Sequence, residues 1–215
     1  MGTYKKGILS PFRGKIGTVI GSVWNGIFHM KSLPDITPNR KPTTAQLNQQ
    51  IVFALITGFL KPLKRVLEIG YQSFTKGVTP VNAATGYHLK FAVTGTAPNY
   101  EVDYPKVILS VGDLEAPQEP GITATAGTAK VVFDWGALVD PEVGNLTDRA
   151  TFVAYNPTLK KYTTIRNVIA RSALTYPLQL PAAWIGHEAH FWMAFTSLDG
   201  KVVSNSAYVG LSPVL

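Results

Sequence analysis

The chain has 215 residues, 46% of them hydrophobic and 15% charged, with a net charge of +7 and no cysteine. That length and balance allow a buried core and exclude global disorder. The missing thiol excludes disulfides, thiolate metal sites and cysteine nucleophiles together.

The start, with Lys5, Lys6, Pro11, Arg13 and Lys15, lacks the apolar stretch of a secretory signal. The most apolar run, Ile51 to Leu60, is about half the roughly twenty residues that a membrane span requires. The expectation is cytoplasmic synthesis with no signal peptide and no membrane span, and release inside a larger particle stays open. Residues Gly17 to Leu33 then read as a β-hairpin. Val19, Ile20, Val23 and Trp24 precede Asn25-Gly26, a pair that accepts the positive φ angles of a tight type I′ turn, and Ile27, Phe28, Met30 and Leu33 follow. Pro34, Pro38 and Pro42 make the next stretch a spacer, with Asn39-Arg40-Lys41 exposed and basic.

Thr43 and Gln46 have capping-box spacing for a helix whose apolar stripe is Leu47, Ile51, Ala54, Leu55, Phe59 and Leu63. Pro62 should divide it, leaving a second piece from Leu63 to Ile69 that ends at Gly70. Val81 to Ala92 is a further short helix. After Gly95 the period changes to the alternation of a strand, in Tyr100, Val102 and Tyr104 and then in Val107, Leu109 and Val111, and Gly112 to Gly121 reads as a linker. Six short strands are predicted beyond it, at 128–135, 151–156, 161–167, 173–180, 190–196 and 202–209, a spacing that suits an antiparallel β-sandwich. The predicted fold class is therefore α+β, with a hairpin and helices over residues 1–112 and a β-sandwich over 113–215.

Charge is unevenly spread. Residues 1–92 hold twelve cations against Asp35 and Glu68, a net of +10, whereas residues 93–215 hold eight cations against eleven acids, a net of −3. Such asymmetry predicts an anionic partner for the first half, or pairing of one subunit's basic half with another's acidic half.

Two stretches carry resemblances. Val131-Val132-Phe133-Asp134-Trp135, and His190-Phe191-Trp192-Met193-Ala194-Phe195 followed by Leu198-Asp199-Gly200-Lys201 and Ser204-Asn205-Ser206, resemble strands of a fibronectin type III or immunoglobulin-like module. That resemblance implies a binding or spacer unit, although Phe191 or Trp192 stands where the module has its usual Tyr. Lys6-Gly7-Ile8-Leu9, Gly14-Lys15-Ile16-Gly17-Thr18-Val19-Ile20-Gly21, Trp24-Asn25-Gly26, Lys31-Ser32-Leu33-Pro34, Thr44-Ala45-Gln46-Leu47 and Val153-Ala154-Tyr155-Asn156-Pro157 resemble an uncharacterised family of bacterial proteins, found mostly in Bacteroidota. The family resemblance implies the two-part layout and no mechanism.

No catalytic group is marked. His187-Glu188-Ala189-His190 is one residue short of the helical zinc pattern, no Ser lies in a nucleophile elbow, and Gly14-x-x-Gly17 lacks the Gly-Lys-Ser/Thr ending of a phosphate loop. No catalytic residue, metal, cofactor or small-molecule substrate is predicted. The expected function is a non-enzymatic structural or assembly protein, a homo-oligomer or part of a larger assembly. Its partner-binding residues would be Lys15, Trp24, Phe28, Lys31, Arg40 and Lys41, with sheet edges open to β-augmentation. Nucleic-acid binding by the same basic half is the alternative, since cations beside aromatics suit phosphate contact and base stacking.

Overall fold

The chain divides between Thr44 and Ala45 into two units, Met1–Thr44 and Ala45–Leu215. A computed structural model describes residues 2–4, 10–24, 26–34, 41–74 and 77–215. Asn25, of the expected turn, Arg40 and most of the Pro-rich spacer lie outside the described residues.

The first unit holds four antiparallel strands in the order of the chain: β1 (Thr3–Tyr4), β2 (Phe12–Ile16), β3 (Val19–Trp24) and β4 (Ile27–Ser32). The predicted hairpin is the β3–β4 pair, closed by Trp24 opposite Ile27 and by Gly26 at φ +78°, a conformation that an L side chain resists. Gly21 in β3 answers to a close approach: a Cβ there would collide with the carbonyl and ring of Phe12. Gly21 is also the one buried residue among those described in this unit.

The second unit begins with helix α1 (Thr44–Leu60). A 3-10 turn at Lys61–Leu63 follows, then α2 (Lys64–Gly70), so Pro62 divides the helix as expected. The buried stripe is Ile56, Phe59, Leu60 and Leu63, while Leu47, Ile51 and Ala54 of the predicted stripe face solvent. Helix α3 (Pro80–Phe91) starts with Pro at its first turn, and the Thr79 hydroxyl accepts the Asn82 N–H at 3.3 Å. A hairpin of β5 (Val93–Thr96) and β6 (Asn99–Val102) comes next.

Val107 to Val111 is not the predicted strand. It runs as irregular buried chain, with the Val111 N–H on the Gly70 carbonyl and the Leu109 N–H on Ser206 Oγ. Nor is 112–121 a free linker: Leu114 bridges to Ser204, and Glu115 and Pro117 are buried. Local alternation misled here because partners from distant parts of the chain, the Gly70 carbonyl and the Ser206 hydroxyl, take up the hydrogen bonds that a neighbouring strand would otherwise take.

All later strands are antiparallel. One sheet has the order β10 (Lys161–Ala170), β9 (Arg149–Asn156), β12 (Glu188–Thr196), β13 (Ala207–Pro213). Another has the order β11 (Thr175–Gln179), β8 (Lys130–Asp134), β7 (Gly121–Thr125), of which β7 escaped the sequence reading. The inner strands β9 and β12 are buried nearly end to end, because each face of their sheet lies against an apolar cluster. Val153, Tyr155 and Trp192 join the helical residues Ile56, Phe59, Leu63 and Leu67. Phe152, Phe191, Met193 and Phe195 join Val131, Phe133 and Leu178 of the smaller sheet, with the Phe133 and Phe152 ring centroids 4.5 Å apart. The 112/113 division expected from the sequence therefore runs through the second unit, since the helices share a core with β9 and β12.

Candidate interaction surface

Strand register assigns the side chains of the first unit to two faces, because residues directly opposite on antiparallel strands share a face and neighbours along a strand alternate. Lys15 lies opposite Ile20, and Ile20 opposite Lys31; Ser22 lies opposite His29, and Trp24 opposite Ile27. This is a cationic face with Trp24 and two isoleucines set into it. Ile16, Val19, Val23, Phe28 and Met30 occupy the other face, together with the paired Gly14 and Gly21. Phe28 is 59% exposed and Met30 is 75% exposed.

The expected partner-binding residues are thus only partly brought together. Lys15, Trp24 and Lys31 share a face, and Phe28 is on the opposite one. Lys41 is exposed before α1, and Arg40 lies outside the described residues. Among the described residues of this unit no ion pair neutralises Lys15, Lys31 or Lys41. Since β4 is the last strand of its sheet, its outer edge meets no strand of the described residues, and an open edge of this kind is a template for added strands.

A second exposed surface had no sequence signal. The segment from Gly136 to Asp148 turns Val139, Val143 and Leu146 outward beside the exposed acids Asp140 and Glu142. Its backbone is nevertheless firmly held. The buried Glu115 carboxylate accepts the N–H groups of Val139 (3.2 Å) and Asp140 (2.9 Å), and the Glu115 N–H reaches the Val143 carbonyl. Asp148 Oδ2 accepts the Asn145 N–H at 2.8 Å. Arg171, only 2% exposed, joins the two acids: its Nε is 3.6 Å from Asp148 and its Nη1 4.0 Å from Glu115. Its Nη2 donates to the Glu115 carbonyl at 2.6 Å, and its guanidinium carbon lies 4.0 Å from the Phe195 ring centroid. Burial by itself would raise the Glu115 pKa. The N–H groups of Asp140 and Val139, the Gln118 amide and the Arg171 charge outweigh it and hold the carboxyl below its ordinary value.

The second unit also contains a groove of about 730 Å³ lined by Tyr100, Tyr104, Tyr155, Tyr162 and Phe59. Tyr155 packs on Tyr104 and on Tyr162, with the Tyr155 and Tyr162 centroids 4.5 Å apart, and Tyr162 Oη donates to the Phe59 carbonyl. Burial raises the pKa values of Tyr104 and Tyr162, so their hydroxyls stay protonated. His190, which the sequence set beside His187 as a metal question, stacks on Tyr104 and meets Tyr208 Oη at 2.9 Å, while His187 pairs with Asn156. Among the described residues no group of three or more His, Asp or Glu side chains could hold a metal, and no helix is long and apolar enough to cross a membrane.

A family model described as a family of unknown function, DUF6266, matches residues 11–210. No curated protein matches the chain. Among solved structures, the solution structure of the fn3 domain of human contactin 1 aligns with 48% of this chain and 76% of its own, at 9% identity and a TM-score of 0.29. That likeness is too slight to bear on function.

Proposed function

The chain belongs to the DUF6266 family of unknown function, and from that premise we propose that it is a non-enzymatic structural protein that self-associates, or docks on a larger particle, through its N-terminal unit. The observation that carries this reading is the shortage of core in that unit. Its sheet buries Gly21 alone among the described residues while Trp24, Ile27, Phe28 and Met30 lie in solvent. Each such side chain contributes roughly 1.5–3 kcal/mol when fully withdrawn from water, so a partner that covers several of them stabilises the sheet appreciably. The open edge of β4 and the outward-facing Leu47 and Ile51 of α1 add further surface for a neighbour. In this reading the second unit is the rigid body, its β7–β13 portion arranged as a sandwich of the fibronectin type III kind, which the shared cluster of Phe133, Phe152 and Phe191 supports.

Light scattering across micromolar to millimolar concentration tests the reading. The expected result is a molar mass that rises with concentration and falls in the Trp24→Ser/Ile27→Ser variant. A constant monomer mass would sink it.

A second reading keeps one observation in its favour. Lys15 and Lys31 flank Ile20 on the face that also carries Trp24, an arrangement suited to a phosphate backbone with a stacking platform. Under that reading the chain binds DNA or RNA at about 50 mM salt and releases it steeply as salt rises. Absence of binding at low salt removes it.

A further inference from the structure

We propose that the cationic face of the N-terminal sheet docks on the acidic end of the second unit in another copy of this chain, so that copies join head to tail. The inference rests on the self-association reading above and names the receiving surface.

That surface is the segment from Gly136 to Asp148 with the turn that follows β12. Thr196 of β12 lies opposite Arg149 of β9, so the segment entering β9 and the turn leaving β12 meet at one end of the sheet. The segment contributes Val139, which is 75% exposed, with Val143 and Leu146, and the turn contributes Leu198 and Val202. Five large apolar side chains facing solvent at one end of a domain mark an interaction site. The exposure of Val139, Val143 and Leu146 does not come from a loose backbone, since the buried Glu115 and Asp148 carboxylates accept its N–H groups and Arg171 joins the two acids. A preorganised apolar surface loses little entropy when a partner covers it.

Charge then selects the partner. Residues 113–148 and 197–202 together hold eight acids against Lys130 and Lys201, and Asp140, Glu142, Glu119 and Asp134 among them are exposed. This potential repels nucleic acid and any second acidic end. Residues 1–44 hold seven cations against Asp35, and the face carrying Lys15 and Lys31 also carries Trp24, Ile20 and Ile27. Both surfaces therefore present apolar centres bordered by charges of opposite sign, the pattern that gives specificity and salt dependence to an interface. Because the two surfaces differ, the contact is heterologous, and it produces rings or open chains according to whether the rotation closes.

Charge exchange in the full-length chain tests the pairing. Sedimentation velocity at low salt is measured for wild type, for Lys15→Glu/Lys31→Glu, for Asp140→Lys/Glu142→Lys, for their equimolar mixture, and for the chain carrying all four substitutions. Circular dichroism confirms that each is folded, and Lys15→Gln/Lys31→Gln serves as a milder substitute for any that is not. Each double variant alone should self-associate at least about tenfold more weakly, the equivalent of 1.4 kcal/mol. The mixture should regain association as alternating copies, because the two reversed surfaces attract each other and so do the two unaltered ones, and the fourfold variant should regain the wild-type oligomer. Weakening without rescue, or unchanged association in the Asp140→Lys/Glu142→Lys chain, overturns the head-to-tail pairing and leaves self-association standing. A wild-type chain that stays monomeric overturns both.

Discussion

The two units spend their apolar residues in opposite ways. In the second, Phe152, Phe191, Phe195 and Trp192 are withdrawn from water on the two faces of one sheet. In the first, Trp24, Ile27, Phe28 and Met30 occupy regularly paired strands, yet their side chains are exposed. Hydrogen-bonded strands are therefore poor evidence of a stable domain on their own; the difference lies in what each strand is packed against. The first unit has the register of a sheet and the burial of a surface.

The largest expected effect sharpens this contrast from the side of the second unit. Arg171→Met leaves Glu115 and Asp148 buried without their cation, and breaking a buried ion pair in this way costs about 3–5 kcal/mol. Urea unfolding should show that loss as a lower midpoint with an unchanged slope. Phe191→Ala, emptying a fully buried ring from the same unit, is expected to cost about 3–4 kcal/mol. A loss under 1 kcal/mol in either case would contradict the assigned burial.

Acid gives a medium effect. Burial draws the His190 pKa down to about 4, and it lowers that of His88 against the opposing influence of the Ala84 carbonyl. Both rings are neutral in the fold and take up protons more readily when the chain is unfolded. Their stabilisation is complete above the ordinary histidine value of about 6.5 and is lost as the pH falls from there toward 4, with about 2–3 kcal/mol from His190. Glu115 extends the decline. Its depressed pKa contributes stability above the ordinary carboxylate value, and that contribution disappears as the pH drops below it. Unfolding midpoints between pH 7 and 4 should fall in wild type and flatten in His190→Gln. Equal slopes would refute the neutral, buried assignment.

The smallest effect on stability is expected in the first unit. Trp24→Ser should shift the unfolding of the second unit by less than about 0.5 kcal/mol, the range of ordinary surface changes, while reducing self-association. Amide exchange in β3 and β4 of the dissociated chain should be fast, and exchange in β9 and β12 slow, because local opening follows the apolar surface that holds a segment down. Comparable protection in the two sets would mean that the sheet has its own stabilising core, and the contrast would be gone.

What could be read from the sequence follows the same division between local and distant causes. The β3–β4 hairpin, the break at Pro62 and five later strands each rest on residues within a turn or two, and their positions hold to within a few residues. Alternation over Val107–Val111 promised a strand that distant partners at Gly70 and Ser206 replace. The unbroken apolar run Phe191-Trp192-Met193-Ala194-Phe195 was the one available sign that β12 is covered on both faces, and hence that the helices belong with the sheet. For the candidate surface, composition located the cations, but only register could part Lys15, Trp24 and Lys31 from Phe28. Composition gave the second half its acidic sign but not the place of the acidic end, because Glu115, Asp148 and Arg171 are far apart in the chain and no spacing rule joins them.

Molar mass of the full-length chain by light scattering, at rising concentration and at low and high salt, tests the central claim most directly. The account predicts species heavier than the 23.3 kDa monomer at low salt, with return toward that mass as salt screens the charged surfaces. A mass of one chain at every concentration and salt would contradict it.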